Sequence, residues 1–237
     1  MSLEATASKV DAGPAVRLTG VRKRFGYRDV LRGVDLEIPR GSCFVVFGPN
    51  GAGKSTLLRI VATQWTFTSG HVEVLGKDIR KEPTVVRGLI GLVLHDSFLR
   101  WELTLEENLR FACDLHGIRA AEGARRTESL LERFGLAHRR HDVTGTFSRG
   151  MLQRAGLVRS LLAEPKLWIL DEPFSGLDPA GQELLEQAIR EFYGAGGTVL
   201  LVTHQLNMGS RLATASAYIE DGAILRQGAG AAAVGDS

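Results

Sequence analysis

The sequence predicts an α/β fold built on a mostly parallel sheet. Strand-length apolar runs alternate with helical patterns through most of the chain. At one of these junctions, between CFVVF and STLLRIVAT, the connection is a glycine-rich loop. Strand signals stop near residue 95 and resume after 149, so the stretch between them reads as a helical insertion. The expected layout is a loose tail over 1–14 and one domain over 15–225, then a second loose tail over 226–237. Within the domain, the core takes 15–95 and 150–225, and the helical part takes 96–149.

Taken in order, residues 15–25, 30–38 and 42–47 read as strands, with a turn at Pro39-Arg40-Gly41. A helix follows the glycine loop to about 63. Residues 70–76 alternate like a strand closed by glycine, and 90–94 is another short buried strand. Thr104 with Glu107 three residues on is a capping box. Leu105, Leu109, Ala112 and Leu115 form one apolar stripe, and Gly117 ends that helix. A second helix covers about 120–134. Further helices are expected at 149–163, from 179 to about 194, and at 206–213. Strands are expected at 167–170 and 198–202, with a last hairpin of 217–220 and 223–226 around Asp221-Gly222.

Composition narrows the function. The chain has 237 residues, 44% hydrophobic, enough for a substantial core. A net charge of +2 and the lack of a basic tract argue against a nucleic-acid partner. Two cysteines, Cys43 and Cys113, make no disulfide framework and fit a reducing compartment. The N-terminus lacks an apolar signal region, and no apolar run reaches the roughly 20 residues needed to cross a bilayer. Any membrane role is therefore expected through a partner.

The chemistry sits first in GPNGAGKST: Gly48, Pro49, Asn50, Gly51, Ala52, Gly53, Lys54, Ser55 and Thr56. Glycines let the backbone curl with its N–H groups inward, and the start of the following helix adds donors for phosphate oxygens. Lys54 would reach the β- and γ-phosphates of a bound nucleotide, and the Ser55 hydroxyl would ligate Mg²⁺. A bare flexible loop with a chance lysine would not supply the strand before it and the helix after it. LWILDE then places Asp171 and Glu172 at the end of an apolar strand. Asp171 can hold Mg²⁺ through water, and Glu172 can polarise the water that attacks the γ-phosphate. Alone, two acids after a strand are an ordinary loop start. In FSRGM, Ser148 caps a helix whose N-terminus, with the Gly150 N–H, is an anion site; alone it too is an ordinary cap.

The order of these motifs, with SGLD after Glu172 and VTH after the 198–202 strand, resembles the ATP-binding subunits of ABC transporters. The resemblance spans about 16–226. It implies a P-loop NTPase (RecA-like) core, an N-terminal antiparallel β subdomain and an inserted helical subdomain. It also implies two copies paired head to tail around two ATP, docked on an integral membrane subunit at the cytoplasmic face. By resemblance the loop and Asp171 hold ATP-Mg²⁺, Glu172 is the general base and His204 contacts the γ-phosphate. Ser148 and Gly150 would serve the ATP of the opposite copy, and Asp178 would link the two sites. Phe25, before Gly26, stands where the family places an aromatic on adenine and is the expected stacking residue; Tyr27 is a weaker candidate, and the alternative for both is turn or sheet packing.

Two departures stand out. His95 takes the place of a usual glutamine, and a neutral imidazole offers one acceptor nitrogen for the same task, unless His95 only fills its loop. Arg149 and Met151 replace a glycine and a glutamine of the signature, while Ser148 and Gly150 remain. SRGMLQR, the histidine and LTLEENLRFACDLHG resemble the ATP-binding subunit of the haem exporter of cytochrome c maturation. Haem export is therefore the expected function of the transporter served; the alternative is an ABC-2-type drug or polysaccharide exporter, whose ATPase subunits the same segment also resembles. Trp101, with Phe98 and Arg100, is the expected docking point for the membrane subunit, or else packs in the helical core. Competing classes are a soluble ABC ATPase of DNA repair or translation, and a nucleotide-dependent module without turnover. The single cassette speaks against the first, and the presence of Glu172 and His204 against the second.

Overall fold

Three five-residue runs, CFVVF, LWILD and TVLLV, are buried at every position and form the middle of a sheet. The computed structural model describes residues 13–94 and 98–234. In its first half, β1 (Val16–Phe25), β2 (Arg28–Ile38) and β3 (Cys43–Phe47) lead into α1 (Lys54–Val61), followed by β4 (Ser69–Val74), β5 (Lys77–Asp78), α2 (Pro83–Leu89) and β6 (Ile90–Val93). Helices α3 (Leu105–Leu115) and α4 (Ala120–Arg133) follow, then α5 (Arg149–Leu161), β7 (Leu167–Asp171), α6 (Pro179–Gly194) and β8 (Thr198–Val202). The chain closes with α7 (Leu206–Leu212), β9 (Ala215–Glu220) and β10 (Ala223–Ala229).

Two sheets result. A four-stranded sheet of order β2-β1-β4-β5 is antiparallel throughout. A six-stranded sheet of order β10-β9-β3-β8-β7-β6 is parallel except for β10, which runs against β9. This is the architecture the resemblance implied.

The two-residue period of the central strands sorts their side chains to opposite faces. Phe44, Val46, Ile169, Leu200 and Val202 pack toward α1 and the four-stranded sheet. Phe47, Trp168, Leu170, Val199 and Leu201 pack toward α5 and α6. The parallel register pairs Val46 with Val202 and Asp171 with Val202. The loops after β3, β7 and β8 therefore emerge together at one edge of the sheet, at the strands' carboxyl ends, where ligands bind in such folds.

The helical insertion follows its sequence signals at its start. The Thr104 hydroxyl accepts from the Glu107 N–H at 3.2 Å, and the Glu107 carboxylate accepts from the Thr104 N–H at 2.8 Å. Leu105, Leu109 and Ala112 are buried as the stripe required, but Leu115 is 72% exposed. It is the last residue of α3. Gly117 (φ 66°) turns the chain away, with its N–H on Asp114 O and that of Ile118 on Cys113 O, so nothing covers the Leu115 side chain.

Asn108 is buried, and its amide ties together the Arg100, Leu103 and Thr104 carbonyls and the Arg100 N–H. The loop carrying Trp101 is thereby fixed, and Trp101 itself is 70% exposed rather than packed in the helical core. At the C-terminal end, β10 continues past Arg226 to Ala229, and buried Ala233 donates its N–H to Ser216 Oγ. Ordered pairing thus extends beyond residue 226. The short elements α2 and β5 had no sequence signal strong enough to announce them; α2 buries only Val86.

Candidate active site

The loop 48–53 follows directly from β3 and is pressed against its neighbours. Gly48 lies at φ 149°, and a Cβ there would sit 2.1 Å from the Ile219 carbonyl oxygen. Gly53, at φ 106°, caps α1; its Cβ would meet Leu31 Cδ2 at 2.8 Å and Val30 O at 3.1 Å. The loop can take this path only with glycine at both places.

Lys54 is the first residue of α1 and is buried. Its ammonium folds back into the loop, donating to Gly48 O at 2.7 Å and Pro49 O at 2.8 Å. Burial pushes its pKa down, while the Glu172 and Asp171 carboxylates push it up. An ammonium held by two carbonyls at the loop's centre is preset to meet an anion there.

Asp171 ends β7, 7% exposed. Burial raises its pKa, and a hydrogen bond with the Ser55 hydroxyl works the other way. Its Oδ1 is buried without a hydrogen-bond partner. A buried carboxylate oxygen left unpaired beside a hydroxyl is a pair of hard oxygen donors, which fits Mg²⁺.

Glu172 follows in a left-handed backbone conformation (φ 50°), unusual for a residue with a side chain. Its N–H is held by Val202 O at 2.9 Å, and its Oε2 lies 2.8 Å from His204 Nδ1. The strained turn places the two groups together at the sheet edge. A cavity of about 360 Å³ is bounded by residues 50–51 and 53–56, by Asp171 and Glu172, and by Arg28 and Val30.

The structure therefore gathers the phosphate loop, Asp171 and Glu172 in one cavity, with His204 joined through Glu172. It does not gather the rest. Ser148 caps α5, accepting from the Met151 N–H at 3.3 Å, and its side chain is exposed. Asp178 caps α6, accepting from the Gly181 N–H at 3.0 Å. Neither these two nor Gly150 lines the cavity. Phe25 is half exposed at the end of β1, meets Trp65 edge-on at 5.2 Å, and also lies outside the cavity lining. His95 lies outside the described residues. Sequence reading missed Arg28 and Val30, which reach the cavity because the start of β2 lies against the loop, with Val30 O and Leu31 facing Gly53; no local pattern marks them.

The observation that decides the family is a match to the ABC transporter family model over residues 31–175, more than half of the chain. The chain belongs to the ABC transporter family. It is an ABC ATPase. It is 38% identical over 217 residues to the daunorubicin resistance ATP-binding protein DrrA3 of Streptomyces coeruleorubidus, covering 92% of this chain and 69% of that one. It is 32% identical to the Nod factor export ATP-binding protein I of Ralstonia nicotianae, covering 92% and 68%. It is also 32% identical to the glutamine transport ATP-binding protein GlnQ of Escherichia coli, covering 90% of each.

Among solved structures, an ATP-binding subunit of an ABC transporter superposes with a TM-score of 0.86 at 31% identity, covering 91% of this chain and 90% of the other. A dimeric ATP-binding cassette in a post-hydrolysis state, bound to ADP and Pi, gives 0.84 at 27% identity, covering 90% and 98%. The first two of these relatives are named for drug resistance and for Nod factor export, not for the haem export that the sequence suggested.

Proposed function

We propose that this ABC ATPase is the engine of a membrane exporter, working as a head-to-tail pair on an integral membrane subunit. One observation carries the reading. The preset Lys54 loop, the unpaired Asp171 oxygen and the Glu172–His204 pair share one end of the sheet. The loop N–H groups and Lys54 grip the triphosphate, and Glu172 takes the proton of the attacking water. His204 orients Glu172 and meets the γ-phosphate. Ser55 and Asp171 would hold Mg²⁺, which would supply positive charge to offset that of the phosphates.

In this reading Ser148 and the Gly150 N–H, both at the exposed start of α5, complete the site of the other copy. Asp178 links the two sites, Phe25 stacks on adenine, and His95 stands in for the usual glutamine. The domain layout of core and helical insertion drawn from sequence belongs to the same proposal.

No helix among the described residues is long and apolar enough to cross a membrane. A peripheral location, held by the partner at the cytoplasmic face, is what we infer. Trp101, Phe111 and Leu115 leave apolar surface exposed on the helical part. A groove of about 660 Å³ between the end of α1, β6 and α5 lies close by and includes Arg159 and His116. These are the surfaces we assign to the membrane subunit.

The relatives' names favour an ABC-2-type exporter of drugs or polysaccharides as the transporter served. The SRGM signature and His95 favour haem export in cytochrome c maturation as the second reading. Purification of the tagged chain from its own membranes in mild detergent tests both. We expect an integral membrane subunit to co-purify and the complex to hydrolyse ATP. A permease resembling the haem exporter selects the second reading, and co-purification with nucleic acid or ribosomes instead would contradict export altogether.

A further inference from the structure

Helix α5 presents its N-terminus outward, yet its next turn grips the loop that carries Glu172. The Arg149 guanidinium donates from Nη2 to Ser175 Oγ at 2.8 Å. One turn later on the same face, Gln153 Nε2 donates to Pro173 O at 3.0 Å. Between them the helix and loop backbones nearly touch. A Cβ on Gly150 would lie 2.9 Å from Gly176 O, and a Cβ on Gly176 would lie 2.9 Å from Arg149 Cγ. The loop in turn closes on the glutamate, since Ser175 N–H donates to Glu172 O at 3.1 Å. Glu172 is the residue held at φ 50° with His204 on its carboxylate.

The geometry points to Arg149 as a positioning residue. It ties the helix end that serves one nucleotide to the general base that acts on the other. This deepens the proposed function and rests on its pairing of two copies. Closure of Ser148 and Gly150 on the opposite copy's phosphates pulls on α5. Arg149 passes that displacement to Ser175, and the Glu172 turn follows it. Three features give this link its stiffness: the close backbone packing, the i,i+4 pair of hydrogen bonds and the strained turn. A glycine at 149 would carry no such side-chain link. An arginine there thus adds a direct link from the helix end that closes on one nucleotide to the glutamate that acts on the other.

The test is steady-state ATP hydrolysis by the full-length chain across ATP concentrations, with nucleotide affinity measured separately. Wild type should be cooperative, with a Hill coefficient approaching about 2 for two coupled sites. For Arg149→Ala we expect kcat to fall about tenfold and the Hill coefficient to drop to about 1, with ATP affinity within about twofold of wild type. Arg149→Lys should restore part of both. Ser175→Ala removes only the acceptor and should reproduce the loss; combined with Arg149→Ala it should add nothing, as for two ends of one interaction.

Ser175→Ala also keeps the test open should Arg149→Ala fold poorly. A non-cooperative wild type overturns the coupling. So does an Arg149→Ala protein with unchanged kcat and Hill coefficient, a loss confined to ATP affinity, or additive effects in the double variant. A wild-type chain that neither binds nor hydrolyses ATP would instead overturn the functional reading itself.

Discussion

Replacing Glu172 with glutamine is expected to stop turnover and leave ATP bound. Glutamine has the size of glutamate but cannot take a proton from water. Its side chain would sit in the same turn, since that turn is set by the Glu172 N–H on Val202 O and by Ser175 N–H on the residue 172 carbonyl, both of them backbone bonds. Loss of a positioned general base lowers rate by about 10²–10⁴-fold, so kcat should fall by at least about 100-fold. Affinity should hold, because the loop, Lys54 and Asp171 are untouched. The unhydrolysed γ-phosphate should then bridge two copies, and gel filtration with MgATP should show a stable dimer that is absent with MgADP. An unchanged kcat would remove Glu172 from the mechanism.

Gly48→Ala is expected to be the most damaging change of a single methyl group in the site. The added Cβ would lie 2.1 Å from the Ile219 carbonyl oxygen, a backbone atom that cannot swing aside. Either β9 or the loop must move, and the φ of 149° is unfavourable for alanine as well. Overpacking and backbone strain together put the penalty at about 3 kcal/mol or more. In a domain of this size that lowers Tm by roughly 6–12 °C.

Gly51→Ala separates the two causes. Gly51 has φ 81°, but no atom lies within 4 Å of its Cβ position, so only the backbone term of about 1–2 kcal/mol applies. Thermal unfolding of the two variants should rank them in that order, with ATP binding abolished only in Gly48→Ala. Equal effects would mean that the contact with β9 is not what shapes the loop.

The parts of this molecule that were legible in sequence are those governed by local physics. CFVVF, LWILD and TVLLV announced buried parallel strands because each holds an unbroken run of four or five apolar residues. Thr104 and Glu107 announced a helix start because the cap is made by those two residues alone. The phosphate loop and the Asp171-Glu172 pair were readable for the same reason: each is a short segment whose chemistry depends on its own spacing.

What was not legible depends on distant segments. Leu115 keeps the helical period of its stripe, but whether it is covered depends on where the chain goes after Gly117. Arg28 and Val30 become walls of the cavity because the start of β2 lies against a loop some twenty residues later, a fact carried by no motif. The grip of Arg149 on Ser175 joins a helix start to a loop on the far side of β7, so the arginine reads in sequence only as a departure from a pattern. The side chains of Phe25 and Asp178 sit where the resemblance put them along the chain, yet their contacts here are with Trp65 and with the cap of α6. The nucleotide-dependent roles proposed for them need ATP and a second copy.

The central claim is that Lys54 and the amides of its loop hold the triphosphate of ATP. Equilibrium binding of MgATP to the purified chain, compared with Lys54→Ala, tests it most directly. The ammonium makes two short bonds inside the loop, to the Gly48 and Pro49 carbonyls, and a charge-assisted bond to phosphate would take their place. We expect saturable binding by wild type and an affinity at least about tenfold weaker in the variant, from the loss of one buried charged contact, with the folded state retained. Wild-type protein that binds no ATP, or a variant that binds as tightly as wild type, would contradict the account.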